Sequence, residues 1–201
     1  MKMDKILVGS VIALLAFSVV VANVFVYYPW QVTVSPVSPP ITFQKGSNAD
    51  KTDLSGSISV TLGENNAFAT ITIHPTYRVT YYKDVLRISN TDTKAYYVYI
   101  VLDGKTGSLP SLSRVVLYVY QSGTARDLSG WMTPEPESGT YLKMINLTTL
   151  NINAPTPVDV PISGGSKWEI DIYVYIPEGE SLSQVTFNLH LVYTPTQENP
   201  P

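Results

Sequence analysis

The chain has 201 residues, 13 Lys plus Arg, 16 Asp plus Glu, and a formal net charge of -3. Charged residues make up only 14%, against roughly a quarter in ordinary soluble domains, so the basic stripe that nucleic-acid binding requires is missing. There is no cysteine, which excludes a disulfide framework, thiolate chemistry and Cys-based metal sites.

Lys2 and Lys5 precede an apolar run that starts at Ile6, and no further charge follows until Lys45. Two readings of this start remain open. In the first, residues 1–22 are a signal peptide. Ile6 to about Val21 is its apolar region, and Val20-Val21-Ala22 supplies the small residues of a cleavage site. In the second, Ile6–Tyr28 stays attached as a membrane anchor, with Tyr27, Tyr28 and Trp30 at the interface. Both put residues 35–201 outside the cell or on its surface, because the positive flank stays inside. A type-IV-pilin-like leader fits less well, since Ile6 stands where a small residue is wanted.

At Asn23 the period changes to two. Val24, Val26, Tyr28, Trp30, Val32 and Val34 alternate with Asn23, Phe25, Tyr27, Pro29, Gln31 and Thr33. Side chains alternate across a strand, so the first six form one continuous apolar face. Such a face has to be covered. Residues 35–40, SPVSPP, form a Pro-rich hinge that favours an extended, semi-rigid path. The hinge separates residues 23–34 from the domain at 41–201 and frees them to pair elsewhere.

After Ile41–Phe43, strand signals follow one another closely: Ser57–Leu62, Phe68–Ile73, a long or bent strand over Tyr77–Ser89, Ala95–Leu102, Val115–Gln121, Tyr141–Thr148, Val158–Ile162, Trp168–Ile176 and Gln184–Tyr193. Turn residues separate them, among them Gly63-Glu64-Asn65-Asn66, Asn90-Thr91-Asp92-Thr93, Asp103-Gly104 and Gly164-Gly165. No window after Ala22 carries a helical period. The expected fold is all-β: a single antiparallel β-sandwich, jelly-roll-like, behind the N-terminal hydrophobic segment and a free N-terminal strand. Trp168, Ile170, Ile172, Val174 and Ile176 are read as inward, as are Val185, Phe187, Leu189, Leu191 and Tyr193. Lys167, Glu169, Asp171, Tyr173 and Tyr175 take the opposite face. Ala95–Leu102 and Val115–Gln121 are apolar on both faces. Each is therefore either covered twice or presents tyrosine rows to a neighbour.

The sequence offers little for catalysis, and no enzymatic activity, cofactor or metal is expected. His74 and His190 lie far apart and form no metal-ligand spacing. There is no GxSxG elbow. Glu135 and Glu137 flank Pro136 in the long irregular stretch Ser122–Gly139, where a solvated loop outweighs glycosidase or calcium chemistry. Gly164-Gly165 opens no helix and so is no phosphate loop. Asn146-Leu147-Thr148 is the one sequon, which makes Asn146 a candidate for N-glycosylation on an exported chain.

Three stretches carry a resemblance: Asp84–Thr91 (DVLRISNT), Val160–Pro177 (VPISGGSKWEIDIYVYIP) and Phe187–Gln197 (FNLHLVYTPTQ). With the leader, the apolar strand and the strand-rich domain, they make the chain similar to the TasA/camelysin-type secreted biofilm fibre proteins and the archaeal bundling pilins. The likeness covers most of residues 23–197 as loose pattern. It implies a jelly-roll-like subunit that polymerises by donor-strand complementation. The strand Asn23–Val34, with Val24, Val26, Tyr28, Trp30, Val32 and Val34 as its contact face, would complete the sheet of the next copy. The partner is then another copy of the same chain, with a membrane involved only through residues 6–28 if they are retained. The protease activity attached to the camelysin name has no metal-ligand motif here to carry it. The alternative is a membrane-tethered surface module that binds carbohydrate or a partner protein through its loops.

Overall fold

The computed structural model describes residues 28–128, 140–198 and 200. Residues 1–37 and 38–201 are separate units, and the fold below is that of the second. The signal or anchor segment, Val24, Val26, Glu135 and Glu137 lie outside the described residues.

The domain is an all-β antiparallel sandwich of ten strands among the described residues. They are β1 Ile41–Lys45, β2 Ser59–Leu62, β3 Ala69–Thr72, β4 Arg78–Asn90, β5 Tyr97–Thr106, β6 Arg114–Gln121, β7 Lys143–Asn146, β8 Pro155–Pro157, β9 Lys167–Ile176 and β10 Thr186–Thr194. One layer is a five-stranded sheet in the order β1-β4-β9-β6-β7. The other holds a three-stranded sheet, β10-β5-β8, and a separate hairpin, β2-β3.

Alternation drives the layering. On β9, Trp168, Ile170, Ile172, Val174 and Ile176 all enter the common core, as the period-2 reading expects. They meet Val85 and Ile88 of β4 and Leu117 and Val119 of β6. Val98 and Ile100 of β5 and Val60 of β2 close over them from the second layer. Trp168, fully buried, removes one of the largest apolar areas available to any side chain.

The structure differs from the sequence reading in several places, each with a local cause. Val158–Ile162 is not a strand. The pairing segment lies just before it at Pro155–Pro157, and Ile162 makes only an isolated bridge to Tyr96. Asp103-Gly104 is no turn. β5 runs through it, and the register slips opposite Asn188 and Leu189 of β10, so a bulge absorbs the turn-forming pair. The bend expected in Tyr77–Ser89 is a second bulge, where the β4–β9 register shifts between Tyr82 and Leu86. Asp84 within it has φ 44°. Gly46 sits against this bulge so closely that a Cβ there would meet the Asp84 carbonyl oxygen at 1.9 Å.

In the first unit, Tyr28–Val34 belong to no strand. Tyr28, Trp30, Val32 and Val34 are 65–87% exposed, and Val37 is exposed as well. A strand is defined by its partner, and among the described residues this segment has none.

Candidate functional site

Antiparallel pairing gives the sandwich two ends. Ile41 pairs with Asn90, and Thr194 pairs with Tyr97, so these four residues mark one end. Arg78 pairs with Ile176, and Thr186 pairs with Thr106, which marks the other.

The two flanks of the sandwich are built differently. On one flank lie the edges of β7 and β8. Pro155 and Pro157 deprive β8 of two backbone donors, a common way to blunt an edge. Lys143 of β7 bonds the Asp159 carboxylate at 2.8 Å, and Leu147 and Val158 are buried in the core. β7 and β8 end their sheets without a further strand among the described residues, but these features blunt that flank.

The opposite flank is open. Among the described residues, β1 pairs only with β4 and β10 pairs only with β5. Between them, at the end marked by Ile41 and Thr194, lies a slot of about 180 Å³ lined by Pro39, Ile41, Thr42, Phe43, Ala67, Leu191 and Tyr193. None of these carries a charge. β1 forms its floor, β10 one wall, and Ala67 in the β2–β3 connection the other. The second layer is thus interrupted, with three paired strands on one side of the gap and the hairpin on the other.

Burial reports the same interruption. The alternation on β10 points Phe187, Leu189, Leu191 and Tyr193 inward, yet none of them is buried and Leu189 is 37% exposed. Phe43, Leu62, Ala69, Ile71 and Ile73 pack against the core but stay only partly covered. The corresponding inward residues of β9 are at most 6% exposed. Of the partly covered residues, Phe43, Leu191 and Tyr193 line the slot, and these core-type side chains lack a neighbour there, not a hydrophobic pattern.

Of the six residues assigned to the contact face, the four described ones, Tyr28, Trp30, Val32 and Val34, are exposed. Sequence reading found this apolar segment. It could not find the slot, whose lining comes from separate stretches of chain.

The polar candidates fall elsewhere. His190 is exposed on β10, with Nε2 3.6 Å from Asp103 on the neighbouring β5. His74 receives a partner that sequence did not suggest. The Asp53 carboxylate lies 3.1 Å from His74 Nδ1, accepts the His74 N–H at 2.7 Å, and accepts the Tyr82 hydroxyl at 3.3 Å. Burial pushes the Asp53 carboxyl upward, and the N–H bonds from Leu54 and His74 outweigh it, so its pKa lies below the usual range. This group pins the 50–57 loop to His74 in the β3–β4 connection and to Tyr82 within β4. Asn146 ends β7 half-buried, and its Oδ1 accepts both the N–H and the hydroxyl of Thr148. Among the described residues, no group of three or more His, Asp or Glu side chains is placed to hold a metal ion.

The largest departure from the sequence reading lies on the outer face of the five-stranded sheet. Glu169, Asp171 and Tyr173 were expected on the side away from the core, and there they are, but buried. With Val116, Tyr118 and Tyr120 they form a second interior. Arg126, in the connection after β6, crosses this face. It donates to Glu169 and Asp171, each at 2.8 Å. Ser122 and the Gly123 N–H also donate to Glu169, the Asp84 N–H and the Tyr81 hydroxyl donate to Asp171, and Arg87 bonds Asp84. Burial tends to raise the Glu169 pKa, but the bonds from Ser122, Gly123 and Arg126 hold it below the usual carboxylate range. Burial likewise opposes ionisation of Asp84, and Arg87 with Ser47 reverses the balance. Burial also drives the Tyr81 hydroxyl up, reinforced by Asp171, so it stays a donor. One buried arginine turns a polar strand face into interior.

No protein-family profile matches this sequence, and no similar curated protein was found.

Proposed function

We propose that this protein is the subunit of an extracellular filament, built by passing the segment at residues 23–34 of one copy into the slot between β10 and the β2–β3 hairpin of the next. The observation that carries this reading is the match between two incomplete parts. The slot is uncharged, apolar and flanked by an unpaired strand edge. The segment is uncharged and alternating, and its described residues, 28–34, are exposed. An added strand would satisfy backbone groups along β10 and place every second side chain against Ile41, Phe43, Leu191 and Tyr193. Each of those side chains would contribute about 1.5–3 kcal/mol when fully buried.

The stiff hinge at 35–40 disfavours a tight reversal into the chain's own slot, and a contact of one surface with a different one grows into an open filament wherever its rotation does not close a ring. The product is a fibre. Electron microscopy of the exported protein tests this. Filaments are expected from the intact chain, and a soluble monomer from a chain lacking residues 23–34. Filaments that persist without that segment would overturn the reading.

A further inference from the structure

Resting on the strand-exchange reading, a second contact follows from chain direction. β10 runs from the Thr186 end to the Thr194 end. Its free edge offers nine residues, and antiparallel pairing is the more stable arrangement per residue. An incoming strand antiparallel to the whole of β10 crosses the slot beside Leu191 and Tyr193 and brings its C-terminal residues, Thr33 and Val34, to the Thr186 end, with outward Thr33 opposite outward Thr186. The hinge that follows then leaves the β10 edge at the Thr186 end, among the loops of that end.

Those loops present an apolar surface. Leu112 is 76% exposed, Leu182 is 49% exposed, and Tyr77 is partly exposed. They are held together: the Tyr77 hydroxyl donates to the Glu180 carbonyl oxygen at 2.6 Å, and Ser183 donates to the Ser108 carbonyl oxygen at 2.7 Å. Leu112 is displayed from a left-handed conformation, φ 66°, which costs a non-glycine residue free energy. The hinge carries Pro36, Pro39, Pro40 and the 88% exposed Val37. Preformed proline-rich segments dock on apolar and aromatic surfaces at low entropic cost.

We infer that the Tyr77–Leu112–Leu182 end of each copy seats the Pro-rich hinge of the copy whose strand fills its slot, so that all copies stack in one direction. The donor's own domain begins at Ile41, on its Thr194 end. Its Thr194 end would therefore face the acceptor's Thr186 end, giving a polar fibre. The opposite strand direction would bring two Thr194 ends together.

The chain has no cysteine, so paired substitutions read this directly. Filaments carrying Thr33→Cys with Thr186→Cys, both on the outward face, should oxidise to an intermolecular ladder on a non-reducing gel. Filaments carrying Thr33→Cys with Thr194→Cys, also outward, should not. A ladder from the second pair, or from neither, would overturn the direction while leaving strand exchange standing. Failure of the unsubstituted chain to form filaments would remove strand exchange itself, and this inference with it. Leu112→Ser with Leu182→Ser should raise the critical concentration for assembly about tenfold, as expected when two apolar contacts are lost. An unchanged value would overturn the hinge seat.

Discussion

Arg126 lies over the Tyr120 ring, its guanidinium carbon 3.9 Å from the ring centroid, and the same group holds the buried carboxylates of Glu169 and Asp171. Cation–π contact and bidentate charge pairing meet in one side chain that is 2% exposed. This closes the outer face of the five-stranded sheet with a side chain from a connection.

Arg126→Ala should cost about 3–5 kcal/mol, because it leaves buried charge without a partner. The loss should be read by denaturant unfolding of the chain without residues 23–34, which keeps assembly out of the measurement. In that variant the stranded carboxylates favour protonation. The deficit against the parent should therefore shrink as pH falls from 7 towards 4. A deficit that grows on acidification would show that Arg126 does not act through these carboxylates.

The parent itself should lose stability in acid. Asp53, Asp84 and Glu169 all have native pKa values below their ordinary ones. A carboxylate depressed in the native state binds protons more readily when unfolded. Its contribution is complete above the unfolded value, about 4, and is lost as pH falls through the lower native value. The melting temperature should be flat from about pH 7 to 5 and then fall steeply below about 4. A flat profile down to pH 2 would contradict the arrangement.

Leu191→Asp should separate assembly from folding. Leu191 lines the slot and is only partly buried in the single chain. The cost to the isolated domain should stay within about 2 kcal/mol. The same carboxylate would be sealed beneath an inserted strand with no partner, a far larger penalty. Filaments should disappear while the melting temperature of the isolated domain moves by only a few degrees. Normal filaments from this variant would place the contact elsewhere.

Alternation and turn chemistry are properties of neighbouring residues, and they carried the reading of this chain a long way. They sufficed for the antiparallel strands, the inward face of β9 and the apolar segment ending at Val34. They failed where pairing partners are distant. Asp103-Gly104 reads as a turn until β10 holds it in register. Glu169 and Asp171 read only as lying opposite the core face, because nothing local announces that Arg126, more than forty residues earlier, will cover and neutralise them. The slot is the extreme case. Ile41, Ala67 and Leu191 are brought around one gap by strand order, and strand order is set by which layers bury the most apolar area together, a quantity no single stretch of sequence contains.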